Sequence, residues 1–180
     1  LISFDLTTFN MFYNDRIGFI QREFNDGSVK SERGNIGNAR IYGLESNIDI
    51  DLNRLILNND NSSLNYFINT ALIDSKYIKS KENGVVGKKV EFVPNINLKT
   101  GIKYGFKNLI INVQYSYISR QFTDSSNSIK GNISGIVGEI PKYSLTDISF
   151  SYLHKRIRLE YGINNLTNTF YFTRRATGYP

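Results

Sequence analysis

The feature that most limits the fold of this chain is a period of two in its apolar residues. Over 98–106, Leu98, Thr100, Ile102, Tyr104 and Phe106 share one face of an extended strand, while Asn97, Lys99, Gly101, Lys103 and Gly105 share the other. Over 109–120, Leu109, Ile111, Val113, Tyr115 and Tyr117 oppose Asn112, Gln114, Ser116 and Arg120. Segments 144–152, 156–164 and 40–52 repeat the pattern. Segment 64–72 follows it less cleanly, because Phe67 and Ile73 fall on the polar phase. Segment 2–22 alternates at Ile2, Phe4, Leu6 and Thr8, then shifts phase to Phe9, Met11 and Tyr13, as a β-bulge would produce. Seven strands are predicted.

The connections carry as much information as the strands. Gly105-Phe106-Lys107-Asn108 and His154-Lys155-Arg156 are tight, and 53–63 is moderately short. Longer polar stretches cover 23–37, 76–93, 122–142 and 173–180. Short and long connections therefore alternate. A water-soluble sandwich gives the same period of two but no reason for that rhythm. A barrel through an outer membrane gives both, with short turns at the periplasmic end and long loops outside. The segments are also longer than the about 5–6 residues of ordinary strands, and match the about 9–11 needed to cross a bilayer at a tilt. The expected fold is all-β: a segment of an antiparallel up-and-down transmembrane β-barrel. One face carries aliphatic residues and tyrosines for lipid, and the other carries Lys, Arg, Glu, Asp and Asn for a wet lumen.

Composition narrows the chemistry. The chain has no cysteine and one histidine, His154, so disulfides are excluded and zinc or iron ligation is disfavoured. No metal site or cofactor is expected. The net charge of +6 suggests an anionic partner. Nucleic acid is disfavoured, because basic and aromatic residues segregate to opposite faces.

Several stretches resemble the C-terminal part of TonB-dependent outer-membrane receptors. Phe12-Tyr13-Asn14-Asp15-Arg16-Ile17-Gly18 resembles a strand that precedes a long loop in that family. Asn35-Ile36-Gly37-Asn38-Ala39-Arg40-Ile41-Tyr42-Gly43-Leu44-Glu45 resembles its "N-x-G-x-A-x-x-x-G-hydrophobic-E" strand, and Val93-Pro94 stands where the family often opens a strand with proline. Tyr115-Ser116-Tyr117 with Asp124 and Asn127 resembles "Y-x-Y … D-x-x-N". Ile140-Pro141-Lys142-Tyr143-Ser144-Leu145-Thr146-Asp147 resembles "I-P-x-Y-x-x-x-D". Gly162-Ile163-Asn164-Asn165-Leu166-Thr167-Asn168, then Tyr171, resembles the penultimate strand.

The resemblance implies that residues 1–180 are the C-terminal portion of a plugged barrel of about 22 strands, with plug and final strand outside this chain. It implies an outer-membrane location in a Gram-negative bacterium. It implies transport, not catalysis, energised by the TonB–ExbB–ExbD complex through the plug. The cargo would be a ferric chelate, of siderophore or ferric-citrate type, with Fe3+ as cargo and not as a resident cofactor. Lipid and lipopolysaccharide would be further partners. A passive porin or adhesin barrel without a plug is the alternative. A barrel phospholipase or protease is disfavoured, because His154 falls at a predicted periplasmic turn.

Arg120, Arg174 and Arg175 fall at predicted outer strand ends, and arginine offers paired donors to carboxylate-rich ligands. Together with Tyr171 they are the candidate ligand contacts. Tyr77, Phe122 and Tyr179 would line the same mouth or form the outer girdle. Lys76, Lys79, Lys81, Lys88 and Lys89 read first as a solvated loop, and otherwise as a surface for lipopolysaccharide phosphates or an anionic chelate. Asp49-x-Asp51-x-Asn53 begins like a calcium loop but has Arg54 where glycine is required. Gly84-Val85-Val86-Gly87-Lys88-Lys89 has the wrong spacing for a phosphate loop.

Overall fold

The computed structural model describes residues 1–26, 28–131 and 136–175. Seven long strands form one sheet: β1 (Ile2–Glu23), β2 (Val29–Asp51), β3 (Ser62–Ser80), β4 (Ile96–Phe106), β5 (Leu109–Ile118), β8 (Tyr143–His154) and β9 (Ile157–Ile163). Two short strands, β6 (Gln121–Phe122) and β7 (Glu139–Ile140), pair with each other inside the β5–β8 connection. The sheet order is β1-β2-β3-β4-β5-β8-β9, and every neighbouring pair is antiparallel. Each long strand therefore lies beside the one before it, in the up-and-down order expected.

Register sorts the side chains onto two faces. Ile2, Ile50, Tyr66, Ile102, Val113, Ile148 and Ile163 are paired partners from one edge of the sheet to the other. Asp5, Asn47, Asn69, Lys99 and Ser116 form a row on the opposite face. A slip of one residue in any ladder would move lysines and aspartates to the apolar face, so the alternation fixes the register. The apolar face stays uncovered. Phe4 is 72% exposed and Ile2 61%. A sandwich would bury this face against a second sheet, whereas this one needs lipid. On β4 the band runs from Phe106 to Ile96, eleven residues. That is about 33 Å of strand, or about 25 Å of height at a tilt of about 40°, the height of an outer-membrane apolar band.

Three features of the sequence resolve differently from expectation. The stretch 23–37 is not an open loop, because β1 and β2 continue through it to a short turn near Asp26. β3 likewise runs on to Ser80. Both extensions lie above the apolar band, where no lipid-facing row of apolar residues is required. Third, no bulge separates Thr8 from Phe9. Pairing is unbroken from Ile2 to Tyr13, and the irregularity falls between Tyr13 and Ile17. Asp15 adopts a φ of 51° there, with its N–H bonded to the Asn38 side chain at 3.1 Å. Phe9 simply points to the polar face.

That exception and Phe67 have the same cause. A Cβ at Gly43 would lie 2.8 Å from the Phe9 ring, and a Cβ at Gly101 would lie 2.8 Å from the Phe67 ring. Each aromatic ring reaches over a glycine of the neighbouring strand, which shields the exposed backbone and gives the ring a surface to cover. Ile73 has a different neighbour: it joins Phe9, Ile20 and Val93 around a core of Ile36, Ala39, Ile41, Tyr77, Val85 and Val90. The segment 84–93 folds over the polar face and closes this core from above.

Tyr77 is fully buried in it, so it neither lines a mouth nor stands in an aromatic girdle. Its hydroxyl donates to Glu91 Oε2 at 2.7 Å and accepts from Arg16 at 2.6 Å, and Arg16 also pairs with Glu91. The loop is thus latched to β1 and β3 by a charge pair whose carboxylate is almost enclosed. Removing one member leaves the other charged group without its partner.

Two outcomes are expected. Gly101→Val forces a Cβ to within 2.4 Å of the Val113 carbonyl, so the folded fraction measured by heat-modifiable gel mobility should fall, at a cost of about 1–3 kcal/mol. Glu91→Ala should leave the barrel folded but expose 81–95 to external protease, since loss of a buried partner costs about 3–5 kcal/mol. Unchanged cleavage would remove the latch as the loop's anchor.

Candidate ligand-facing rim

The candidate residues gather at the loop-bearing end of the sheet, opposite the tight turns at Lys107 and Lys155, which take positive φ of 51° and 54°. Arg120 lies two residues beyond the end of β5. Its side chain is exposed, 3.8 Å from the Glu139 carboxylate and over the Phe122 ring at 6.0 Å. Arg175 arrives from the other side, donating from Nε to the Glu139 carbonyl at 2.9 Å. It lies over Phe172 at 5.1 Å. Added Cβ atoms at Gly131 and Gly138 would come within 3.1 and 3.2 Å of its guanidinium. Arg175 is therefore wedged into a glycine-lined notch and braces the outer loop. Arg174 is exposed and makes no hydrogen bond, ion pair or ring contact among the described residues.

Tyr171 stacks on Tyr143, centroid to centroid 4.7 Å at 25°. A small cavity of about 110 Å³ lies between them and Pro141, Phe170 and Phe172. Phe122 contributes more through its backbone than its ring: its carbonyl accepts from Phe92 N–H at 2.9 Å. Tyr179 and residues 132–135 lie outside the described residues.

Sequence reasoning missed Glu139. It carries Oε2 with no hydrogen-bond partner although the atom is enclosed, and it is the point on which Arg120 and Arg175 converge. No period or motif marks it, because it lies in a two-residue strand inside a loop. Motif residues without an assigned role turn out to be fasteners. Asp124 accepts from Ser126 N–H at 2.8 Å. Asn127 bridges to the neighbouring loop, accepting from Lys89 N–H at 2.6 Å and donating to its carbonyl at 2.9 Å. Asp147 accepts from Asn165 N–H at 2.8 Å while Tyr143 and Tyr171 stack, so the "I-P-x-Y-x-x-x-D" and penultimate-strand segments meet at two points.

The chemistry this supports is recognition. Guanidinium groups beside aromatic rings hold anions with delocalised charge. No group of three His, Cys, Asp or Glu residues is placed to hold a metal among the described residues. Below the rim, the polar face forms an open trough of about 500 Å³ lined by Asp5, Thr7, Glu45, Asn47, Asn69 and Lys99 among others.

Comparison with known proteins agrees with this architecture. The family described as "TonB dependent receptor-like, beta-barrel" matches residues 2–166. The unliganded ferric citrate transporter FecA superposes with a TM-score of 0.75 at 21% identity, over 99% of this chain and 27% of that one. The ferric yersiniabactin uptake receptor FyuA of Yersinia pestis gives 0.68 at 17%, over 96% and 23%. The ferric enterobactin receptor PfeA of Pseudomonas aeruginosa, a mutant bound to enterobactin, gives 0.62 at 18%, over 98% and 25%. The chain thus spans about a quarter of the length of these structures, and the likeness shows a shared fold. The chain belongs to the TonB-dependent receptor family, whose members are outer-membrane transport receptors, and forms seven strands of the wall of a larger barrel.

Proposed function

We propose that the receptor built from this wall takes up a ferric chelate, such as a siderophore or ferric citrate, across the outer membrane. TonB–ExbB–ExbD supplies the energy by acting on a plug domain. The observation that carries this reading is the placement of Arg120, Arg174 and Arg175, with Tyr171, at the loop-bearing end of a membrane-height wall. Ferric chelates of carboxylate or catecholate type are anionic and planar in part, which suits guanidinium and aromatic contacts. The receptors named for ferric citrate, ferric yersiniabactin and ferric enterobactin support the cargo class. Within this reading Arg120 and Arg174 touch the ligand. Arg175, already committed to Glu139, positions the loop that presents them.

Two measurements test it. A strain lacking the gene, grown under iron limitation on single iron sources, should fail on one ferric chelate. Equal growth on every chelate would sink the iron cargo while leaving other TonB-dependent cargoes open. In the full receptor, Arg120→Ala and Arg174→Ala should each weaken binding of that chelate by about tenfold, as loss of one charge-assisted contact does, with surface levels unchanged. Arg175→Ala should instead raise protease cleavage of 119–142. Wild-type affinity in both exposed-arginine variants would remove them from the site.

A further inference from the structure

One residue of the 81–95 segment holds a backbone shape that its type does not favour. Phe92 has a φ of 59°, in the left-handed region where a bulky side chain is strained. Elsewhere among the described residues that region is taken by Asp15, by Asn58, Asn127, Asn165 and Asn168, and by Lys107 and Lys155 in the tight turns. Phe92 is the one aromatic residue there among the described residues. Its neighbours place the reversal at this position. Glu91 is held by Arg16 and Tyr77, and the Phe92 N–H donates to the Phe122 carbonyl at 2.9 Å. Val93 packs on the core and precedes Pro94, which biases it to extended backbone. The turn therefore falls on residue 92. Glycine or asparagine would make the same turn with less strain, so the fold accounts for the conformation and not for the phenylalanine.

Packing does not account for it either. Phe92 is 45% exposed, while Val90 and Glu91 before it are buried. No aromatic or cationic group stacks on its ring among the described residues. Val85, Val90 and Val93 turn toward the polar face of the wall, so the exposed ring turns the other way, into the mouth of the barrel. Through the Phe122 carbonyl this turn is bonded to β6, and the exposed Arg120 guanidinium lies 6.0 Å over the Phe122 ring. An uncovered aromatic face and a guanidinium therefore border the same opening from adjacent loops.

Strained residues gather at binding sites, where the strain presents a group that the site needs. Charge alone would hold an aliphatic carboxylate chelate at Arg120, and such a chelate has no π face to meet a ring. A chelate that carries its iron-binding oxygens on aromatic rings does, and rings stack. We infer that Phe92 is a specificity-determining contact: its ring stacks on an aryl ring of the cargo while Arg120 holds the charge, so the receptor favours a ferric chelate built on aromatic rings over one built on aliphatic carboxylates. The inference rests on the uptake of an anionic ferric chelate proposed above, with Arg120 in its site. Strain gives this role a signature. A residue that only packs loses stability when it is replaced, whereas a strained contact residue loses affinity and keeps or gains stability.

The test uses the full-length receptor and two anionic probes, the ferric complex of 2,3-dihydroxybenzoate and ferric citrate, with binding of each measured by titration calorimetry. Wild type should bind the aryl complex more tightly. In F92N and F92L the ratio of the two affinities should shift about tenfold toward ferric citrate, as loss of a ring–ring contact and its buried area does. R120A should weaken both probes. Without ligand, F92N should unfold at or above the wild-type temperature in heat-modifiable mobility, because asparagine takes the left-handed turn with less strain. A lower unfolding temperature for F92N would show the ring packed against other parts of the receptor, and overturns the contact role. An unchanged affinity ratio in both variants, or a wild type that binds ferric citrate as tightly as the aryl complex, overturns it as well. R120A binding both probes like wild type overturns the Arg120 site and this inference together. A wild type that binds neither probe overturns the aryl preference, and growth on single iron chelates then decides the uptake reading by itself.

Discussion

Everything in this structure depends on the pairing of backbone N–H and C=O groups where no water can reach them. In hydrocarbon each unpaired group costs several kcal/mol, so a strand can cross only with a partner on each side. The ladder from β1 to β9 meets that demand for the strands between the edges. β1 and β9 each keep one edge that only other strands of the barrel can fill. The period of two follows from the same demand: once the backbone is committed to a continuous ladder, side chains have two destinations, lipid or lumen.

Where lipid is present, the sequence was easy to read. The row from Ile2 to Ile163 could be drawn from residue types alone, and so could the tight turns at Lys107 and Lys155. Above the band the signal ended. Val29 to Asn38 and Asp74 to Ser80 are strands rich in Lys, Ser, Glu and Asn, with no lipid on either side and a loop packed over only part of one face, so no continuous apolar row is required. These stretches therefore looked like loops. Phe9 looked like a phase shift because an aromatic on the polar face is unusual. Its reason, a bare glycine on the next strand, is visible only once Gly43 is known to be opposite.

The rim was legible in part. Arginine beside tyrosine at strand ends pointed to the loop-bearing end of the sheet, which is where these residues lie. It did not separate Arg175, committed to Glu139, from the exposed Arg120 and Arg174. Nor did it reveal that Tyr77 belongs to a core. Both distinctions come from loops folding back over strands, and loop packing leaves no periodic trace in a chain.

The fasteners between loops also have a mechanical meaning. Arg16 ties β1 to the 81–95 segment. Phe92 and Lys89 tie that segment to Phe122 and Asn127 of the next. Glu139 ties that one to Arg175, beyond β9. The joints run in series in the same direction as the strands beneath, like links of a hoop. Such a hoop is stiff around its circumference and soft across its opening. A tug on any one loop is passed sideways to its neighbour, so the entrance tightens or slackens as a collar and not as separate flaps.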